Sequence, residues 1–326
     1  MKISRALSRL KIDPYILAIL TVVAVASLLP AQGRVANGFG WATNIAIALL
    51  FFLHGARLSR EAVIEALGHW RLHSVVVLST FVLFPLLGLA MTRLAPAGFL
   101  LPPLAVGLVF LCCLPSTVQS SIAFTSIARG NVAAAVCAAS ASNLFGIFLT
   151  PVLVGLLFST HSGGSAWDSV RSIVVQLLAP FVAGQIARRW IGPWVERHRR
   201  VLSFVDRGSI LLVVYTAFSA AVVKGIWSQV SAADLVKLLI ACAILLAAVL
   251  AATRFGARAL GFSKEDEITI VFCGSKKSLA TGVPMAGILF PAATVGMIIL
   301  PLMLFHQIQL MACAVIAQRY ARRAPG

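Results

Sequence analysis

Phe272-Cys273-Gly274-Ser275-Lys276-Lys277-Ser278-Leu279-Ala280-Thr281-Gly282-Val283-Pro284 places two adjacent lysines inside a long apolar run, between Ile268-Thr269-Ile270-Val271 and Ile288-Leu289-Phe290. A charge at the middle of a bilayer costs about 2.5–3.5 kcal/mol on insertion scales. Glycines and a proline flank the pair, so the helix is expected to be interrupted there. A broken helix at that depth is tolerated only where it lines a cavity or is buried in protein. The rest of the chain therefore reads as a frame around this stretch.

Composition agrees with a membrane setting. The 326 residues are 60% hydrophobic and 11% charged, with a mean hydropathy of +0.97. Soluble domains carry about 25% charged residues. Loops between apolar runs are short, so no sizeable soluble domain fits. Cys112, Cys113, Cys137, Cys242, Cys273 and Cys313 all fall in apolar runs without metal-ligand spacing, and free, buried thiols are expected. Lys2, Arg5, Arg9 and Lys11 ahead of an apolar run imitate a signal sequence. The run Pro14–Pro30 nearly spans a bilayer, and an uncleaved first helix is the preferred reading.

Apolar runs of spanning length give ten segments. They are Pro14–Pro30, Trp41–Ala56, Leu72–Leu94, Pro102–Ala128, Val132–Phe158, Val170–Arg188, Gly208–Val223, Leu235–Phe255, Ile268–Phe290 and Ala293–Ala317. With the N-terminus inside, 20 of the 27 lysines and arginines lie on the cytoplasmic side and five on the other, Lys276 and Lys277 making up the rest. That bias predicts both termini in the cytoplasm, with the cell (inner) membrane as the location. It also explains the net charge of +17 by anionic lipid headgroups, without a nucleic-acid partner. Ten spans divide into five plus five, which predicts an inverted repeat of about 12–160 and 168–318 within one transmembrane domain, 1–326. The fourth span of each half is the polar, interrupted one.

In the first half that span carries Cys113-Leu114-Pro115-Ser116-Thr117-Val118-Gln119-Ser120-Ser121. Pro115 lacks an N–H and clashes with the preceding turn, so the helix kinks or opens there. Freed carbonyls and the oxygens of Ser116, Thr117, Gln119, Ser120 and Ser121 suit a cation, and the positive end of a half-helix suits an anion. Singly, such hydroxyls more often pack helices closely. Ser142 and Asn143 sit in the small-residue stretch of the next span. A mid-membrane amide must find partners, so Asn143 is either a site residue or interhelical glue. In the second half Cys273, Ser275, Lys276, Lys277 and Ser278 surround the break. The lysines, about 100° apart if helical, read as an anion ligand, as a group that titrates near neutral pH, or as a built-in cation bonded to break carbonyls. His54, His306, Gln309 and Asn44 are weaker candidates. The acidic residues, Glu61, Glu65, Asp206, Glu265, Asp266 and Glu267 among them, fall in loops or at span ends, and no phosphate loop or nucleophile elbow occurs. ATP-driven and hydrolytic chemistry, and enzymatic activity generally, are not expected.

Three stretches resemble the bile acid:sodium symporter superfamily, in its sodium/bile acid cotransporter 7-like branch. They are Phe51-Phe52-Leu53-His54-Gly55-Ala56-Arg57-Leu58, Leu114 to Phe124, and Phe272 to Ala280. The resemblance covers nearly the whole chain. It implies ten transmembrane helices, a panel of the first, second, sixth and seventh spans, a core of the others, and broken fourth and ninth helices that cross at their breaks. It carries the family's sodium ligands onto Ser120, Ser121, Ser142 and Asn143. It also puts Cys273 where the family has a sodium-ligating glutamate and Lys277 where it has a glutamine. Losing the carboxylate and gaining an ammonium group both oppose sodium. The expectation is that lysine takes sodium's place and that transport is sodium-independent or proton-linked.

The expected function is secondary active transport of a small organic anion by alternating access, with no cofactor. The alternative is a non-transporting membrane regulator or scaffold that kept the fold; a channel-like conductance is a third reading.

Overall fold

The computed structural model describes residues 14–57, 69–96, 98–158 and 166–322. Lys2, Arg5, Arg9, Lys11, Glu61 and Glu65, named above, lie outside them, as do Arg60 and Arg323, which belong to the 20 basic residues assigned to the cytoplasmic side. The described residues are helical, without strands. In chain order the helices are α1 (Pro14–Leu28), α2 (Gly33–Arg57), α3 (Trp70–Leu94), α4 (Pro102–Cys112), α5 (Gln119–Ile127), α6 (Val132–Phe158) and α7 (Ala166–Arg197). There follow α8 (Arg199–Val223), the one-turn α9 (Ile226–Gln229), α10 (Ala232–Ala259), α11 (Lys264–Gly274), α12 (Leu279–Leu289) and α13 (Ala292–Ala321). Six of them are long and apolar enough to cross a membrane: α2, α3, α6, α8, α10 and α13.

Several helices outrun the expected apolar segments. The second expected segment, Trp41–Ala56, starts at Gly33; the sixth, Val170–Arg188, runs from Ala166 to Arg197; the seventh, Gly208–Val223, starts at Arg199. Hydropathy reads only the stretch that suits lipid, whereas backbone hydrogen bonds carry a helix on through charged residues. The expected fourth and ninth segments are each two helices, α4–α5 and α11–α12, with residues 113–118 and 275–278 between them. Side chains start three of these helices. Ser231 and Asp234 form a capping box on α10. Ser263 caps α11 ahead of Glu265, Asp266 and Glu267, whose charges favour a helix N-terminus. Ser278 caps α12.

The helix α3 contains a wide π turn over Ser79–Leu83 that no sequence signal predicted. Within it the N–H of Phe84 donates to the Ser79 carbonyl. In an α-helix that N–H would serve Thr80. The Thr80 carbonyl is thereby released, at a depth where water cannot satisfy it.

Two groups of helices flank a cavity. α2 packs along α7, and α8 packs on α1 and α2; in the other group α13 packs on α4, α10, α12 and α5. The α2–α7 contact is backbone to backbone. A Cβ on Gly55 would run into the Phe181 carbonyl, and one on Gly184 into the Phe52 carbonyl. Small residues that let helices approach are the usual solution for association in lipid. Gly184→Val is therefore expected to destabilise the protein by about 3 kcal/mol or more, since it displaces main chain rather than a flexible side chain. Melting temperature and the monodisperse yield in detergent check this.

Candidate functional site: two helix breaks and the cavity beside them

Opening a helix releases carbonyls and N–H groups that need partners inside the protein. At the first break each carbonyl from Cys112 to Ser116 has one. The Cys112 and Leu114 carbonyls accept from Lys277 Nζ, both at 2.7 Å. The Cys113 carbonyl accepts from the Thr150 hydroxyl at 2.8 Å. The Pro115 carbonyl accepts from the Ser278 N–H at 2.9 Å. The Ser116 carbonyl accepts from the Asn143 amide at 2.8 Å. The Ser116 N–H, which in an unbroken helix would reach Cys112, donates to Ser142 Oγ at 3.0 Å. Gly146 lets α6 come this close, because a Cβ there would press into the Pro115 ring.

The second break is held the same way. The Cys273 carbonyl accepts from Ser116 Oγ at 2.6 Å, and the Phe272 carbonyl from Ser121 Oγ at 3.1 Å. Ser275 Oγ turns back on the Val271 carbonyl. Gln309 on α13 bonds Lys277 twice: its Oε1 accepts from the Lys277 N–H and its Nε2 donates to the Lys277 carbonyl, both at 2.9 Å. The two breaks are thus partners of each other.

Both lysine side chains are fully buried. Lys277 Nζ donates to three carbonyls, of Thr80, Cys112 and Leu114, each at 2.7 Å. One was released by the π turn and two by the break. Three acceptors match the three protons of an ammonium group; a neutral amine would leave one carbonyl unpaired. The Phe84 ring lies 4.1 Å from the nitrogen, within range of a cation–π contact. Lys276 Nζ donates to the Ser120 carbonyl at 2.8 Å and sits 3.9 Å from the centre of the Phe124 ring.

Beside the breaks lies a cavity of about 620 Å³. Thr117, Gln119, Ser120, Asn143, Ser278 and Thr281 line it from the broken helices and α6, and Leu50, Ile147, Phe181 and Leu279 give it apolar walls. His54 and Arg57 on α2, Asp206 and Arg207 on α8, Tyr15 on α1 and His306 on α13 also line it. Arg57 Nη1 and Asp206 Oδ2 form an ion pair at 2.6 Å. Arg57 Nη2 and Asp206 Oδ1 are buried with no hydrogen-bond partner among the described residues.

The chain matches the model of the SBF-like CPA transporter family over residues 13–322. It belongs to that family. An uncharacterized Pseudomonas aeruginosa protein is 61% identical over 312 residues, covering 95% of this chain and 93% of that one. The Escherichia coli protein named "Putative symporter YfeH" is 56% identical over 312 residues, covering 96% and 94%. Sodium/bile acid cotransporter 7-A of Xenopus laevis is 31% identical over 319 residues, covering 95% and 92%. The chain is accordingly a transporter and an integral, multi-pass membrane protein.

In this SBF-like CPA transporter the expected site residues divide into two sets. Thr117, Gln119, Ser120, Asn143 and Ser278 line the cavity. Pro115, Ser116, Ser121, Ser142, Cys273, Ser275, Lys276 and Lys277 lie behind it, in the contact between the breaks. Neither ammonium group is among the cavity's lining groups. His54 and His306 line the cavity and Gln309 bonds Lys277, whereas Asn44 is exposed and lines a different cleft with Asn37, Thr216 and Ser219. Thr80, Thr150 and Thr281 were missed. Their only signal is a hydroxyl in an apolar run, which is common; their partners come from other helices. Arg57, Asp206 and Arg207 read as loop charges, because they sit at the ends of apolar runs.

Proposed function

We propose that this protein is a secondary transporter of a small organic anion that works by alternating access without sodium. On this reading it has ten spans in two inverted sets of five, with α4–α5 and α11–α12 each counted as one span. α1, α2, α7 and α8 form the panel and the remaining helices the core that moves against it. The protein sits in the cell membrane with both termini in the cytoplasm.

The observation that carries the anion assignment is Arg57, which lines a cavity with apolar walls and whose Nη2 has no hydrogen-bond partner among the described residues. A carboxylate or sulfonate would complete it, while an amphipathic body would rest on Leu50, Phe181 and Leu279. Lys277 supports the absence of sodium coupling. Its ammonium group, tethered at three carbonyls, is a built-in cation where the family's pattern has a neutral side chain. The residues that the resemblance makes sodium ligands do not suit sodium. Cys273 brings no carboxylate, and the ammonium of Lys276 already holds the Ser120 carbonyl. Ser121, Ser142 and Asn143 are engaged with the breaks.

An ion or solute that binds the folded state raises its melting temperature by mass action. Exchanging sodium for potassium is expected to leave the melting temperature of the purified protein unchanged. A panel of amphipathic carboxylates and sulfonates is expected to raise it, and Arg57→Gln to cancel that rise. Uptake of a responding anion into sodium-free proteoliposomes completes the test. A sodium-specific stabilisation together with sodium-dependent uptake would overturn the reading.

A further inference from the structure

Gln309 joins the second break to the cavity. Besides its two bonds to Lys277, its Nε2 lies 2.8 Å from His306 Nδ1. The direction of every bond in this chain is fixed. A backbone N–H only donates and a backbone carbonyl only accepts, so Lys277 sets which end of the Gln309 amide carries oxygen. Nε2 then has two protons, one for the Lys277 carbonyl and one for His306. His306 Nδ1 must accept. The imidazole is therefore neutral, with its proton on Nε2, and its one basic lone pair is the one that Gln309 occupies.

We infer that His306 is a proton-binding site whose occupation releases the Lys277 break. A proton from solvent can add only at Nδ1. It would put N–H against N–H and end the bond to Gln309. Turning the amide over to offer oxygen to the imidazolium gives no escape. Nε2 would then face the Lys277 N–H, and Oε1 would face the Lys277 carbonyl. While the imidazole keeps its place against Gln309, protonation of His306 and the double clamp on Lys277 exclude each other. The proton is thereby the co-substrate class that this site takes, and its arrival loosens the segment through which the two broken helices touch. This rests on the reading of the protein as a secondary transporter.

The charged and titratable groups around the site are on several elements. Arg57, Arg207, Asp206, His54 and Tyr15 share the cavity lining with His306. Behind Gln309, the Lys277 ammonium points away, into its three carbonyls, and Lys276 onto Ser120. Cys112 at the end of α4, Cys113 just after it, Cys242 on α10 and Cys313 on α13 are buried free thiols. Arg254, Arg258, Lys264 and Tyr320 face Glu267 on α11.

The test is hydrogen exchange of the peptide holding Lys277, in nanodiscs without solute, at about pH 8 and about pH 5.5, either side of the ordinary histidine value near 6.5. Rates are corrected for the intrinsic pH dependence of exchange. Protection is expected to fall about tenfold or more at the lower pH in the wild type, and to be independent of pH in His306→Gln. His306→Phe serves if the glutamine variant folds poorly. Gln309→Leu is expected to show low protection at both pH values. An unchanged wild-type protection, or an equal fall in the His306 variants, overturns the inference. The readout needs no solute, so that result leaves the anion-transport reading to its own tests. A pH step at Lys277 in a protein found to couple to sodium would keep the proton site and remove the sodium-free reading.

Discussion

Lys277→Met is expected to lower stability by about 3–5 kcal/mol, the range seen when one partner of a buried charged contact is removed, and to abolish transport. Methionine nearly preserves the volume, so the loss does not come from a cavity. It comes from the carbonyls of Thr80, Cys112 and Leu114, which would keep their burial and lose their donor. Hydrogen bonds to a charged group are worth about 1.5–3 kcal/mol each, and the Lys277 side chain that makes them is fully buried. The π turn of α3 and the open end of α4 lose their common tie at the same moment. Thermal unfolding and the folded fraction on size exclusion measure the effect.

A second variant separates the two roles of the lysine. Lys277→Ala leaves room as well as three carbonyl oxygens. If the ammonium group stands where a mobile cation would, this variant gains a dependence that the wild type lacks. Sodium or potassium chloride is expected to raise its melting temperature over choline chloride. A Lys277→Met protein that is as stable as the wild type would remove the tethered-cation account.

The two broken helices were legible because charge and proline are costly in a membrane and must be explained where they occur. Lys276-Lys277 and Pro115 marked the breaks to within a few residues, and Ser116, Ser121 and Ser278 are bonded across them. The cavity was only half legible. Its polar floor comes from the break motifs, but Arg57 ends α2, and Asp206 and Arg207 lie in the charged first turns of α8, outside the apolar runs. Their convergence depends on how α2 and α8 pack, which hydropathy does not encode. The π turn left no trace, because Ser79-Thr80-Phe81-Val82-Leu83 is compatible with an ordinary helix. Its cause is tertiary: the turn supplies a carbonyl that Lys277 requires. The direction of the lysines was also beyond sequence. The break rotates both side chains into protein, toward the carbonyls it has itself released, and away from the cavity that their charge seemed to serve.

Asn143→Leu is expected to eliminate transport and to lower stability by about 2–6 kcal/mol, from the Ser116 carbonyl and the Thr281 hydroxyl, which lose their bonds to the amide at about 1–3 kcal/mol each. The substitution keeps the size of the side chain and removes its amide. That amide donates to the Ser116 carbonyl at the first break and to the Ala139 carbonyl of its own helix, and it accepts from Thr281 Oγ1 on α12, past the second break. It thus holds one end of each interrupted span to α6, and it faces the cavity while doing so. A solute that competes for the amide would therefore act on both breaks at once. Asn143→Ser, which restores a hydroxyl but cannot span the same distance, is expected to recover part of the stability and little of the transport. Uptake measured beside the melting temperature for the two variants decides the matter. If both fall together in proportion, Asn143 is structural glue; if transport is lost while Asn143→Ser regains stability, the amide belongs to the transport site.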